Sequence, residues 1–295
     1  MKAVCILNPA AGRGTAGKRW KLAQEDLARQ GVEVETVATR GAGDAAREAA
    51  EAIASGFQTI IVAGGDGTIG EVAGAAAGTE ARVALAPFGT GNDLAAGLGI
   101  PLAGVECIKD FDRFVAKRID LGVMNGRRFA NMAGLGFDAR VASKINTGLG
   151  RLKGTPAYLL AIAACLWDLN TAEVEIRVED GEPIRKRVLM VSFANNKNTG
   201  GGLKVAPGAV LDDGCLDLFI LEEISRLEFL KSFRLLLAGT HGKHRAVSFY
   251  RGKRFSLNCK TAQYIHVDGE VATASHLEVY VEPGRLNLLV PPGRE

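Results

Sequence analysis

Residues 60–75 read IIVAGGDGTIGEVAGA, and the fold turns on how this stretch is read. A continuous apolar run, of the kind buried inside a parallel sheet, meets three glycines around one carboxylate, and a helical pattern opens from about Ile69. Gly64, Gly65 and Gly67 let the backbone approach a ligand closely and turn N–H groups toward phosphate oxygens. Asp66 is poorly placed to touch phosphate itself, since like charges repel. It suits a metal-water shell, a ribose or alcohol hydroxyl, or a proton-accepting role. A tight strand-to-helix turn with a capping aspartate would use the same letters.

The device recurs downstream. RVALAP (82–87) is a further buried strand, and PFGTGNDLA (87–95) is a small turn, rich in hydroxyl and amide groups, that opens a helix. Upstream, AVCILN (3–8) reads as a strand, KRWKLAQEDLARQG (18–31) as a helix burying Trp20, Ala23 and Leu27, and VEVETVAT (32–39) as a second strand. Asp44–Ala54 is helical, with Asp44 as the expected N-cap. The alternation predicts a doubly wound α/β domain over 1–118, with ligands beyond the carboxyl ends of its strands.

GRGTAG at 12–17 matches the G-x-G-x-x-G spacing of dinucleotide-binding dehydrogenases, but its context differs. Asn8-Pro9-Ala10-Ala11 separates the strand from Gly12, and the second strand ends in Thr36-Val37-Ala38-Thr39 without a carboxylate for a ribose. The turn reads as a phosphate contact of another kind.

From Ile119 the texture changes. Asn125-Gly126 joins two short extended runs, and strand-like segments follow at 172–180, 187–195, 216–221, 263–270 and 276–282. Helical patterns interrupt only at 156–169, expected as a buried core helix, and at 225–239. The prediction is a mainly antiparallel β domain over 119–284, with the last run, 285–295, returning to the first domain. The active site is expected in the interdomain cleft.

Composition bounds the function. A 295-residue chain that is 47% hydrophobic, with net charge +3, is globular and too weakly basic to argue for nucleic acid. Five scattered cysteines without a C-x-x-C pair read as reduced thiols of a cytoplasmic protein. The first strand begins almost at residue 1, leaving no room for a signal peptide. The longest apolar stretch falls short of a membrane span, so membrane contact is expected to be peripheral. There is no G-x-S-x-G elbow, and His241 and His244 lack partners at zinc spacing. Seven basic or histidine residues crowd positions 241–254; they read either as a surface for anionic lipid or, more simply, as a solvated edge strand.

VDGE (267–270) flanks one glycine with Asp268 and Glu270, a pair that suits removal of an alcohol proton and equally suits an Asp-Gly turn with a solvated glutamate. VLDDGCL (210–216) reads by itself as an ordinary hairpin turn.

GGDGT (64–68) is shared by diacylglycerol kinases, sphingosine kinases and NAD kinases. Together with NPAAGRG (8–14), PFGTGNDLA (87–95), NMAGLGFDARV (131–141), GGGLKVAPGAVLDDGCLDL (200–218) and VDGE, it resembles the diacylglycerol kinase catalytic family, in particular the bacterial YegS-like lipid kinases. The pattern departs at Gly70, where many relatives carry asparagine. The resemblance implies an NAD-kinase-like first domain and an ATP-dependent lipid kinase that phosphorylates a diacylglycerol-like hydroxyl at a membrane surface, with homodimers allowed. It places Asn8, Thr39, Gly65, Asp66, Gly67, Thr68, Glu71, Thr90 and Asn92 around ATP. It also implies Mg²⁺ or Ca²⁺ on the Asp213 carboxylate and the carbonyls of Val210 and Cys215, oxygen donors that suit a hard ion. Glu270 is the favoured base, with Asp268 as helper and Asp66 as rival. An NAD kinase-like phosphotransferase and a non-catalytic lipid or nucleotide sensor are the alternatives.

Overall fold

The computed structural model describes residues 2–102, 104–147, 155–167 and 169–293. The chain divides into two compact units, Met1–Ile119 with Gly284–Glu295, and Asp120–Pro283.

The first unit alternates strand and helix: β1 (Lys2–Leu7), a tight turn α1 (Ala11–Gly14), α2 (Ala16–Arg29), β2 (Glu33–Ala38), α3 (Asp44–Ala54), β3 (Thr59–Gly64), α4 (Asp66–Ala76), β4 (Arg82–Pro87) and α5 (Asp93–Gly97). β2, β1, β3 and β4 pair in that order, all parallel. Asn287–Leu289, near the end of the chain, adds a parallel neighbour to Arg82–Ala84 of β4. With that last strand the order is 2-1-3-4 followed by the chain's final strand, a doubly wound sheet whose switch point lies between β1 and β3. β3 is buried at every position because helices cover both its faces, whereas β2, at the sheet edge, has no fully buried residue. α2 buries Ala16, Trp20, Ala23 and Leu27, a stripe at helical spacing. The cap of α3 is Gly43, in a left-handed conformation, not Asp44, which lies in the first turn and accepts the Arg40 amide.

The second unit is largely antiparallel. β5 (Val115–Met124) leads into it and hairpins to β6 (Arg127–Phe129) through Asn125 and Gly126, both at positive φ, as a tight two-residue turn requires. Then come β7 (Met132–Gly136), α6 (Phe137–Thr147), α7 (Thr155–Leu166), β8 (Ala172–Val178), β9 (Ile184–Ala194), β10 (Leu216–Glu222), α8 (Arg226–Ala238), β11 (Val247–Gly252), β12 (Arg254–Val267) and β13 (Glu270–Val290). β9 pairs first with β8 and then with β7, and β12 does the same across a bulge between Asn258 and Gln263. These two bent strands enclose one apolar core, which includes Phe129, Phe193, Phe255 and Leu257. A second core, around Phe137, Phe219 and Phe229, joins the helices to the sheet.

Two expectations change here. α6 is a helix that periodicity did not announce, because FDARVASKINT has a short, interrupted apolar face. The 156–169 segment forms a helix only as far as Leu166, and it buries Ala161, Ile162 and Cys165 in that second core. Leu160 is 46% exposed and Trp167, just past the helix, 79% exposed, so one face is core and the other is not. Asp168 and the side chains of 156–159 lie outside the described residues. The basic run passes through β11, which among the described residues pairs only with β10 at a sheet edge, and ends at Arg254, the first residue of β12.

Candidate active site

In the first unit the singled-out residues gather at the carboxyl ends of β1, β3 and β4. α4 begins inside GGDGT, at Asp66, earlier than periodicity suggested. Gly65 is its N-cap, in an extended conformation with no side-chain cap. The first-turn amides of a helix have no intrahelical acceptor, and they carry the positive end of its dipole. That is an anion site in waiting on an 11-residue helix. Gly65 and Gly89 touch backbone to backbone: a Cβ on Gly65 would lie 3.1 Å from the Gly89 Cα, and one on Gly89 would collide with the Gly65 Cα.

Asp66 binds the two turns together. Its Oδ2 accepts the Asn92 amide at 2.6 Å, and its Oδ1 accepts the Asp93 amide at 2.7 Å. Burial raises its pKa, and those amide donors oppose the rise. Asn92, left-handed at φ 56°, accepts the Gly89 amide on its side-chain oxygen at 2.9 Å and returns its own amide to the Gly89 carbonyl at 3.1 Å. Across the switch point, Asn8 Nδ2 donates to Thr68 Oγ1 at 3.0 Å while Asn8 Oδ1 accepts the Ala10 amide. Thr90 and Gly67 are exposed beside this frame, and Thr39 is tied to the end of β1 by its amide, 2.8 Å from the Leu7 carbonyl. Glu71 points elsewhere. Its carboxylate accepts the amides of Gly43 and Ala45, each at 3.0 Å, and so caps α3.

The second unit holds the acidic residues. Val267 pairs with Glu270 across a turn in which Asp268 (φ 45°) and Gly269 (φ 87°) are both left-handed, the simple Asp-Gly hairpin. The Asp268 carboxylate lies on three successive amides: Ala130 at 2.7 Å, Asn131 at 3.1 Å and Met132 at 2.9 Å. Glu270 is exposed and forms an ion pair with Arg127. Beneath the turn lies a cluster that motif reading missed. His266 Nε2 is 3.0 Å from Asp138 Oδ2, Ser192 Oγ donates to the same oxygen at 2.8 Å, and the Gly269 amide faces His266 Nδ1 at 3.4 Å. Gly134 makes room for it, since a Cβ there would lie 2.5 Å from Asp138 Oδ2. Burial opposes charge on His266, but attraction from Asp138 and Asp268 outweighs it and the pKa rises. Asp138 lies within the quoted NMAGLGFDARV segment, but nothing local pairs it with a histidine 128 positions away.

The VLDDGCL turn is anchored from below: buried Asp120 accepts the Gly214 amide at 2.6 Å and donates its own amide to the Leu211 carbonyl. Asn195 then bridges the Asp120 and Ala130 carbonyls, each at 2.9 Å, joining this turn to the segment that holds Asp268. Asp213 accepts the Cys215 amide at 3.0 Å and forms an ion pair with Arg251. Val210 is 45% exposed, and Cys215 is half-buried. Burial raises the pKa of neighbouring Asp217, against the pull of Arg251 and with the push of Asp213. Among the described residues no three acidic, histidine or cysteine side chains converge here, so a hard divalent ion would rest on the Asp213 carboxylate and carbonyl oxygens of the turn, with Arg251 as the competing cation.

Residues 2–124 match the diacylglycerol kinase catalytic domain, and residues 131–290 match the YegS C-terminal NAD kinase beta sandwich-like domain. The chain belongs to the diacylglycerol kinase family, among its YegS-like lipid kinases. It is 35% identical over 278 residues to a Bacillus subtilis protein named diacylglycerol kinase, covering 91% of this chain and 89% of that one. It is 34% identical over 253 residues to a Pseudomonas aeruginosa protein named "Probable lipid kinase YegS-like", covering 85% of this chain and 82% of that one. A crystal structure of a diacylglycerol kinase from Bacillus anthracis superposes with a TM-score of 0.81 at 25% identity, over 99% of this chain and 97% of the other. The glycine turns tied by Asp66 therefore lie in the region matched to the catalytic domain of these lipid kinases.

Proposed function

We propose that this kinase transfers the γ-phosphate of ATP to the hydroxyl of a diacylglycerol-like lipid. One observation carries the reading. At a doubly wound switch point, the uncapped first turn of α4 packs backbone to backbone against a second glycine turn, and one half-buried carboxylate ties the two, leaving the α4 amides for a run of phosphates. Gly65, Gly67, Thr68, Thr90 and Asn92 would hold the phosphates, with Asn8 fixing Thr68 and Thr39 marking the nucleotide end of β2. Asp66 acts through these turns, because its oxygens are engaged by amides.

Phosphoryl transfer is mostly positioning and charge neutralisation. Glu270 is the base: it is exposed, and its carboxylate is oriented by a guanidinium rather than consumed by backbone amides. It takes the acceptor proton as the hydroxyl oxygen bonds to the γ-phosphorus and the bond to the β-phosphate oxygen breaks, releasing ADP. Asp268 holds the turn that presents it. Mg²⁺ would be held by Asp213 with the Val210 and Cys215 carbonyls, where it would neutralise the acidic turn.

The test is turnover of ATP by the purified protein offered a lipid extract, separately NAD, and separately no acceptor, with new phospholipids identified by mass spectrometry. A phosphorylated lipid alcohol is the expected product. Phosphorylation of NAD alone, or ATP binding without turnover on any lipid, would replace this reading with one of its two rivals.

A further inference from the structure

In the second unit, large apolar side chains are exposed on α8 and at the end of α7. On α8, Leu227 is 71% exposed, Leu230 55% and Leu237 55%. Their spacing of three and seven puts them on one stripe, which Arg234 continues and Arg226 and Lys231 flank, all exposed. The opposite side of α8 holds Phe229 against the helical core. Trp167, which follows α7, extends the stripe: its ring lies under the Arg226 guanidinium at 5.9 Å, and its carbonyl accepts from Arg226. Leu160, two turns earlier on α7, is also exposed.

Charge decides the occupant. Three cations border the stripe, and the one nearby acid on α8, Glu228, is half-buried and paired with Arg245. Facing a second copy across a two-fold axis, the cations would repel one another. Facing an anionic bilayer they are attracted, while leucines and an indole enter the headgroup boundary. The basic run near 241–254 is less available, since Arg251 is paired with Asp213, Arg245 with Glu228, and Arg254 lies over Tyr280.

We infer that the outer face of α8, with Trp167 beside it, is the surface by which this protein docks on an anionic lipid bilayer. The inference deepens the lipid kinase reading by naming how the enzyme reaches a substrate that stays in the membrane.

The experiment is co-sedimentation with vesicles of phosphatidylcholine and phosphatidylglycerol in equal parts, beside phosphatidylcholine alone. The proteins compared are the wild type, Leu227→Glu/Leu230→Glu and Lys231→Glu/Arg234→Glu, each checked by circular dichroism. Wild type should prefer the mixed vesicles, and each double variant should bind them about tenfold or more weakly. Equal binding by folded variants, or no vesicle binding by wild type, overturns the surface. So does a wild-type dimer that Leu227→Glu/Leu230→Glu dissolves with vesicle binding intact, since the stripe would then belong to a second copy. Phosphorylation of a lipid in detergent micelles separately tests the kinase reading: if it fails while vesicle binding maps to α8, only the reaction is wrong.

Discussion

The Asp66 carboxylate accepts the Asn92 backbone amide at 2.6 Å, so the acid at the centre of GGDGT clamps two glycine turns to each other. Asp66→Asn replaces an anionic acceptor with an amide that can serve only one of the donors through oxygen. Charge-assisted hydrogen bonds of this kind contribute about 2 kcal/mol. The variant should melt several degrees lower and show a raised KM for ATP along with reduced kcat. Loss of kcat with unchanged melting and unchanged KM would instead make Asp66 the proton acceptor.

Contact between Gly65 and Gly89 makes a second prediction. Gly89→Ala drives a methyl into the Gly65 backbone, and overpacking of this sort costs about 1–3 kcal/mol, here discharged by parting the turns. ATP affinity, measured by calorimetry, should fall about tenfold or more while the far-ultraviolet circular dichroism stays that of wild type. Undiminished affinity would place the phosphates elsewhere.

What could be read in advance was whatever has a local signature. β1, β3 and β4 are apolar runs, the glycine turns follow them directly, and α8 announces itself by Ser225 at its cap and Gly239 at its end. What could not be read were links between distant residues. Glu71 caps α3 across 26 positions, Asp138 meets His266 across 128, and Asp120 supports Gly214 across 94. Each joins residues that have no neighbouring pattern in common. The exposure of Leu160 and Trp167 was hidden for a related reason: an apolar composition says that a helix has an apolar face, not what covers it.

His266 offers a pH test. Its folded pKa is raised above 6.5, so the stability it contributes is present below about pH 6.5 and is lost as pH climbs through the raised value. Denaturation midpoints of wild type should fall across that interval, and the fall should be shallower in His266→Gln. Superimposable slopes would show that His266 has the same pKa in the folded and unfolded chain. Activity at lower pH adds a second readout. Protonation of Nδ1 deprives the Gly269 amide of its acceptor, so kcat of wild type, but not of the glutamine variant, should follow the same titration.

Asp213 and Arg251 make a competition experiment. If Asp213 holds a divalent ion, added Mg²⁺ should raise the melting temperature by mass action, about 2.7 kcal/mol at a hundredfold excess over Kd. Asp213→Asn should abolish that increment. Arg251→Gln, which removes the competing cation, should let the increment appear at lower Mg²⁺. A wild-type melting temperature indifferent to both Mg²⁺ and Ca²⁺ would remove the ion from this turn.

Asp268 and Glu270 stand two residues apart and should respond in opposite ways. Asp268 serves three backbone amides, so Asp268→Asn deprives all three of an anionic acceptor, turns a side-chain NH2 toward at least one of them, and should lower the melting temperature. Glu270 is exposed and bonded to one exposed arginine, an arrangement that adds little to stability. Glu270→Gln should therefore melt with wild type yet lose about 10²–10⁴ in kcat, the usual contribution of a positioned base. Its KM for ATP should hold, because the glycine turns proposed to bind the nucleotide belong to the first unit. Stability lost in Glu270→Gln with turnover intact would exchange the two roles, leaving Asp268 the proton acceptor.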